Sequence, residues 1–575
     1  MKRRILIFSF IFLLIALAVF SQMKNENYVS AKDFPREALI YVQVADLPKF
    51  IKLWNKSKLK ENYLKSENFS DFSNNHLGRK LASRWNEFND AAGFSFDLET
   101  ISNFTENRAA FAIYDVGKLE FVFIAPVSDE VFAATKFLQN KGNFTEEILP
   151  DETTIYRVSV EADRGRQNQS LIFTHKNGRL IVATSEKLIV QTLENIGGKT
   201  SKKSLADEPS FQVLSSKIVP NAATIWLNQT ALNQDYYFKK YWLMSDLEKL
   251  KNIRAGIFDF EISEDRFIEK RQFLLEKSVD SAPVNLRQAE NLYAFLPENI
   301  PFYDLRKAEN ETLDEAVEKT LFYRSEPIKI KKNRREYFDY DYAFYNSREN
   351  FDKKIDETDE TETVERREKK SDFAKIMQSG NTQSVLSFAE PKILSAPLFI
   401  KFDRAAIFYL SSPKSFDNPE FESELTRVLL SKTMIFAPNV NLKWKTKNEN
   451  GIGIRELKIP MIGWEICYVL YGNALILTNN AGFMQKIISS KKDEVKFESK
   501  NDFEQFTVID LTQKETAFSQ VFNKIGLGSE VDSFFYGNVE SLLESINKVE
   551  RIEVRRRNSQ NFMDEEITFK LKSDE

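Results

Sequence analysis

The segment Ile172-Phe-Thr-His-Lys-Asn-Gly-Arg-Leu-Ile-Val-Ala-Thr184 runs directly into Ser-Glu-Lys-Leu-Ile-Val-Gln-Thr-Leu193. The same pattern recurs as Cys467-Tyr-Val-Leu-Tyr-Gly-Asn-Ala-Leu-Ile-Leu-Thr-Asn479, followed by Asn-Ala-Gly-Phe-Met-Gln-Lys-Ile-Ile488. Each copy reads as strand, two-residue turn, strand, capping residue and amphipathic helix without a gap. Asn177-Gly178 is the dipeptide that best fits a type I′ hairpin turn, because both central positions need φ above zero. Ser185 stands where a helix N-cap belongs. A chain of 575 residues exceeds what one hydrophobic core serves, so the two copies imply two related domains. Two copies at so long a spacing are a duplication and not a solenoid.

The flanking segments extend the correspondence. In the first half, residues 38–44 read as a strand, and Asp46-Leu-Pro48 opens a helix carrying Phe50, Ile51 and Trp54. A helix with Leu81, Trp85 and Phe88 follows. Strands are expected at 109–114, 119–125 and 154–160, with a helix at 128–140. In the second half, residues 398–402 and 405–410 are expected as the counterparts of the strands near 110 and 120. A helix near 419–431 and a strand at 453–459 come next. Alternating strand pairs close each half, ending at Leu275 and Leu571. The spacing therefore predicts an α+β protein of two related domains, each an antiparallel sheet with helices packed on it. Repeat 1 is placed at residues 35–280, and repeat 2 at 384–575 with its start at 281–324. Between them lies a charged, tyrosine-containing insertion at 325–383, part of which is too poor in apolar residues to offset its ordering entropy.

Lys2, Arg3 and Arg4 precede an apolar run at residues 5–20 broken only by Ser9. That is an export signal, with the basic end held in the cytoplasm. Residues 1–21 are expected to be a signal peptide or an N-terminal membrane anchor, and 22–34 a polar tether. The bulk of the chain is then extracytoplasmic, in the periplasm or cell envelope. Seven Asn-x-Ser/Thr sequons (Asn55, Asn68, Asn103, Asn143, Asn168, Asn228 and Asn310) matter only in a eukaryotic secretory route, and the Lys-, Asn- and Phe-rich composition looks bacterial. A net charge of −4, from 81 basic and 85 acidic side chains mixed along the chain, gives no field that would recruit nucleic acid.

Chemistry-bearing residues are sparse. The two histidines, His76 and His175, restrict triads and zinc sites, which lean on imidazole. His175 aligns with Leu470 of the other copy, so it reads as a packing residue; His76 sits in a polar connector and reads as a surface residue. Cys467, the single cysteine, aligns with Ile172 inside an apolar strand and reads as a small hydrophobe. Gly451-Ile-Gly-Ile-Arg455 lacks the third glycine and the helix of a dinucleotide fingerprint. Acidic pairs such as Asp339/Asp341 and Glu565/Glu566 are expected by chance among 85 carboxylates. The basic run with tyrosines at 329–345 resembles a stacking surface, but equally dense acids beside it favour a solvated or partner-docking loop. The aromatic run at 236–244 reads first as core and second as a membrane-contact helix. No catalytic, cofactor-binding or metal-binding residue is assigned, and no cofactor is implied.

The export signal, Pro35-Arg-Glu-Ala-Leu-Ile-Tyr-Val-Gln-Val-Ala-Asp-Leu47 and Asn177-Gly-Arg-Leu-Ile-Val-Ala-Thr-Ser185 together resemble the bacterial envelope domain-of-unknown-function family 3352. The second half departs from its opening at Asn291-Leu-Tyr-Ala-Phe-Leu-Pro297. The resemblance implies a secreted or anchored α+β protein with no catalytic residues to carry over. The functional expectation is a non-enzymatic envelope protein that either scaffolds an interaction with another envelope protein or binds an apolar ligand or lipid, the membrane being a further partner if the N-terminal segment is kept. The alternative is an extracytoplasmic hydrolase relying on carboxylates. A dry tunnel lined by Phe and Leu would favour the binder, and carboxylates facing across a cleft in one half only would favour the hydrolase.

Overall fold

The fold is described from a computed structural model covering residues 31–56, 64, 67–74, 76–105, 107–160, 169–198, 203–236, 252–262, 266–278, 283–307, 382–393, 400–432, 442–449, 451–459, 464–493, 502–512 and 549–571. The expected signal or anchor at 1–21, most of the insertion at 325–383 and the aromatic run beyond Tyr236 lie outside these residues. The chain divides into two compact units: Met1–Ser281 with Asp510–Lys514 and Phe522–Glu575, and Ala282–Ile509 with Glu515–Val521.

Unit 1 contains β1 (Ile40–Val44), β2 (Ala109–Asp115), β3 (Glu120–Pro126), β4 (Thr145–Ile148), β5 (Thr154–Val160), β6 (Gln169–Lys176), β7 (Arg179–Ala183), β8 (Ala223–Leu227), β9 (Ile253–Ile262) and β10 (Arg266–Leu275). Unit 2 contains β11 (Phe302–Lys307), β12 (Thr382–Ile393), β13 (Ile400–Leu410), β14 (Lys445–Glu449), β15 (Ile452–Ile459), β16 (Trp464–Tyr471), β17 (Ala474–Thr478) and β18 (Gln505–Asp510). Two last strands, β19 (Val549–Ser559) and β20 (Phe562–Leu571), fall in unit 1.

In unit 1 the antiparallel ladders run β4-β5-β6-β7-β3-β2-β1-β8-β9-β10-β20-β19. In unit 2 they run β14-β15-β16-β17-β13-β12-β11-β18. The first eight strands of one order match the other strand for strand. The register matches as well. Ile172 pairs with Ala183 and Ala183 with Val122; Cys467 pairs with Thr478 and Thr478 with Ala405. Both hairpins turn in two residues, with positive φ at Asn177 and Gly178 in the first and at Gly472 in the second.

Each sheet is covered on both faces, which explains why central strands read as apolar runs with little alternation; residues 121–125 of β3 are all buried. In unit 1 one face packs against α6 (Glu186–Ile196) and α7 (Pro209–Ser215) through Ile172, Ile181, Ile189, Leu193, Leu214 and Trp226. The other face meets α1 (Leu47–Lys56), α2 (His76–Ala92) and α3 (Leu98–Phe104) through Ile51, Phe88, Phe104, Phe121 and Phe173. In unit 2, α8 (Leu286–Tyr293) and α10 (Ala481–Ser489) cover one face, and α9 (Asn418–Lys432) the other. Local signals set these helices. Asp46 accepts the Lys49 N–H at 2.9 Å, and Ser185 and Asn480 cap α6 and α10 at equivalent places.

At equivalent places in the two units a side chain repairs the ladder. Beyond the last paired residue of β7, Thr184 Oγ1 accepts the Phe121 N–H at 2.8 Å. Its counterpart Asn479 Oδ1 accepts the Arg404 N–H at 2.8 Å, and its Nδ2 donates to the Phe402 carbonyl at 2.9 Å. Thr184 Oγ1 likewise donates toward the Leu119 carbonyl, at 3.3 Å. Different side chains satisfy the same buried backbone groups at the same corner.

Several sequence expectations are corrected. Residues 398–402 and 405–410 are not two strands; they lie in or border the single strand β13, whose neighbour β12 begins at Thr382, within the stretch assigned to the insertion. Residues 291–297 end α8 and the turn after it, and the opening strand of unit 2 is β11. The sequence places residues 549–571 in repeat 2, but β20 pairs with β10 of unit 1 and β19 with β20. The tether ends in packed structure, since Phe34 is buried and Asp33 is ion-paired with Arg179 at 2.8 Å. His76 opens α2 and is not in a connector.

Candidate functional site

The helix expected at 128–140 is two helices, α4 (Asp129–Ala133) and α5 (Lys136–Gln139), and a groove opens beside the break between them. Ser128 caps α4, and Thr135 takes an extended conformation (φ −69°, ψ 149°) that ends one helix and caps the next. Its hydroxyl donates to the Phe132 carbonyl at 2.8 Å and accepts the Leu138 N–H at 3.4 Å. Threonine favours this because its short oxygen competes with the helical backbone for hydrogen bonds.

The groove, about 510 Å³ in volume, lies between α3 and the α4–α5 pair, with Phe104, Val131 and Ala134 supplying apolar wall and Asn103, Glu130, Lys136 and Gln139 supplying polar groups. Asp97 caps α3 by accepting the Thr100 N–H at 2.8 Å, and that bond holds its carboxyl below the ordinary carboxylate range. Burial works against this, while Ser95 and the positive charge of Lys136 add to it. The side chain of Lys136 makes no hydrogen bond or ion pair among the described residues, so its ammonium is available to a ligand.

Beneath the groove the space between sheet and helices is full. Phe137 stands 4.9 Å from both Phe94 and Phe173, 5.3 Å from Phe96 and 5.9 Å from Phe104, and Tyr156 stacks on Phe173 at 4.7 Å. Such edge-to-face and offset contacts are close packing, not the lining of a tunnel. An apolar ligand lying between this sheet and these helices would have to displace the rings.

The same slot in unit 2 is built with different chemistry. Arg455 and Tyr468 occupy the places of Tyr156 and Phe173, by register. Arg455 grips Glu422 of α9 through two bonds of 2.6 and 2.7 Å, and the Tyr468 hydroxyl donates to the same carboxylate at 2.7 Å. There α9 runs unbroken.

His175 and Cys467 occupy the hairpin places the alignment gave them. Cys467 is fully buried, and burial pushes its thiol up to about 12, which removes it from nucleophilic chemistry. His175 is nine-tenths buried, but it does more than fill space. Its ring lies on Phe132 of α4 at 4.5 Å, its Nε2 is 2.7 Å from the Val127 carbonyl, and its Nδ1 is 3.2 Å from Asp129. The sequence carried no signal of this, because Asp129 and Phe132 are distant in the chain. Gly451 is the turn residue between β14 and β15, with φ +81°. Glu565 and Glu566 point to opposite faces of β20, so the pair does not converge; Glu565 bonds Arg271 and Arg556, and Glu566 bonds Arg555. Asp339 and Asp341 lie outside the described residues. Among the described residues, no three His, Cys, Asp or Glu side chains converge as a metal would require.

No protein-family model matches the chain, and no curated protein matches it. Among solved structures it is similar to TP0453 in crystal forms I, III and IV, at 12%, 10% and 10% identity with TM-scores of 0.24, 0.24 and 0.25. These alignments cover 44%, 46% and 47% of this chain and 82%, 88% and 86% of the other. Among the described residues no helix is long and apolar enough to cross a membrane.

Proposed function

We propose that this is a non-enzymatic envelope protein, exported by its N-terminal segment, that binds an amphiphile with an anionic head in the groove between α3 and the α4–α5 pair. The carrying observation is the combination in one groove of an apolar wall (Phe104, Val131 and Ala134) with the unengaged ammonium of Lys136. Membership of envelope family 3352 belongs to the same proposal. Hydrolysis by carboxylates is the weaker reading, because Glu130 is the one carboxylate lining this groove and glycosidase or acid–base chemistry asks for a facing pair.

The test is titration of the full-length protein in detergent with a dansyl-labelled fatty acid. Ala134→Trp should fill the groove and abolish binding, and Lys136→Glu should weaken it about tenfold, the worth of one partly solvated charge contact. Unchanged affinity in Ala134→Trp would refute the site. A photo-crosslinker at Gln139 that yields protein adducts and no lipid adducts in intact envelopes would refute the ligand class and point to a protein partner.

A further inference from the structure

We infer that His175 is a proton-operated latch on α4, the helix that carries Glu130 and Val131 of the groove wall. The geometry is a count of donors. Nε2 faces the Val127 carbonyl at 2.7 Å, and a carbonyl only accepts, so this nitrogen carries hydrogen. Nδ1 faces an Asp129 carboxylate oxygen at 3.2 Å, which also only accepts when ionised. A neutral imidazole has one N–H and completes one of the two contacts, whereas the imidazolium completes both. Val127, Asp129 and the stacked Phe132 all belong to the short segment leading out of β3 and through α4. One ring therefore holds that segment at three points.

The surroundings isolate the latch. Opposite His175 across the hairpin is Leu180, and its ring faces Phe132, so neither neighbour carries charge. Asp129 is the ionic partner, and Glu130 is the next carboxylate on α4. The neighbouring charges of the hairpin project from the other face of the sheet, Lys176 toward Asp151 and Arg179 toward Asp33. Imidazole changes charge between about pH 5 and pH 8, where aspartate stays ionised. A second proton on the ring completes the latch, and its loss gives up the Asp129 contact. In unit 2 the corresponding residue is Leu470, and α9 is held there by the Glu422–Arg455 pair, so the device belongs to unit 1. Its bearing on ligand binding rests on the groove being the contact site; the latch itself can be tested with no ligand present.

Ala134 is exposed at the C-terminus of α4, and the single native thiol is buried, so Ala134→Cys gives one site for an environment-sensitive dye on the full chain. Between about pH 8 and pH 5 the labelled protein should show one reversible emission transition. Adding His175→Leu should abolish it. Adding Asp129→Asn should also abolish it but hold the low-pH spectrum throughout, because the amide N–H₂ can donate to a neutral Nδ1. Asp129 is 94% exposed, so this variant tests the idea even if the histidine variant misfolds. A transition that persists in His175→Leu, or an Ala134→Cys protein with no transition, would overturn the inference without touching the dansyl titration.

Discussion

Replacing Asp259 by asparagine should remove a pH dependence of stability worth about 3 kcal/mol. Asp259 lies on β9 with no solvent exposure. Its carboxyl accepts the Asn221 N–H at 3.0 Å, the Asn221 side-chain amide at 2.6 Å and the Thr224 hydroxyl at 2.8 Å. Burial outweighs these donors and the charge of Lys270, and pushes the carboxyl up to about 6. The folded protein thus holds this proton more tightly than the unfolded chain does. The stabilisation is full below the unfolded value of about 3.9 and is lost as pH rises through about 6. A separation of about two units at 1.36 kcal/mol each gives the figure of about 3 kcal/mol. Urea unfolding of parent and Asp259→Asn at several pH values between about 4 and 7 measures it, since other titrating groups cancel in the difference. The asparagine adds a constant offset, because one of its N–H groups meets the donors that the carboxylate accepted. Parent and variant curves that run parallel across this range would refute the reasoning.

Two further outcomes follow from buried polar groups. Thr184→Val keeps the shape but leaves the Phe121 N–H without its acceptor, and should cost about 1–3 kcal/mol in urea unfolding, with Thr184→Asn recovering part of it because Asn479 does the same task in unit 2. Arg271→Met strands Glu269, which is 2% exposed, and leaves Glu565 with Arg556 alone, and should cost about 3–5 kcal/mol; combining it with Glu269→Gln should restore part of the loss in the same measurement.

The matching hairpin and helix of the two units were legible because each rests on a local rule: a turn dipeptide, a cap and a continuous apolar run. Strand order was legible only in part. Nothing in residues 382–393 marks them as the neighbour of β13, since Ser384, Ser387, Glu390 and Pro391 interrupt the apolar pattern. The last hairpin alternates as a strand pair should, but alternation does not say which sheet receives it. Its place beside β10 depends on matches such as Arg271 with Glu565 and Gln272 with Asp564, which lie far apart in the sequence. The groove was hidden for a related reason. Residues 128–140 have helical periodicity throughout, and only the side chain of Thr135 competing for the Phe132 carbonyl divides them.

That division also explains why two units of matching strand order differ above the sheet. Where α9 docks, a guanidinium, a phenol and a carboxylate form directional bonds that fix one helix at one angle. Where α4 and α5 dock, Phe132 and Phe137 both pack on Phe173, Phe132 edge-on and Phe137 tilted. The short helix α4 is held by rings and one histidine, whereas α9 is held by a part-buried ion pair. The sheet beneath is the same in both units. What differs is the bonding that holds the helix over it, directional and ionic in unit 2 and aromatic in unit 1.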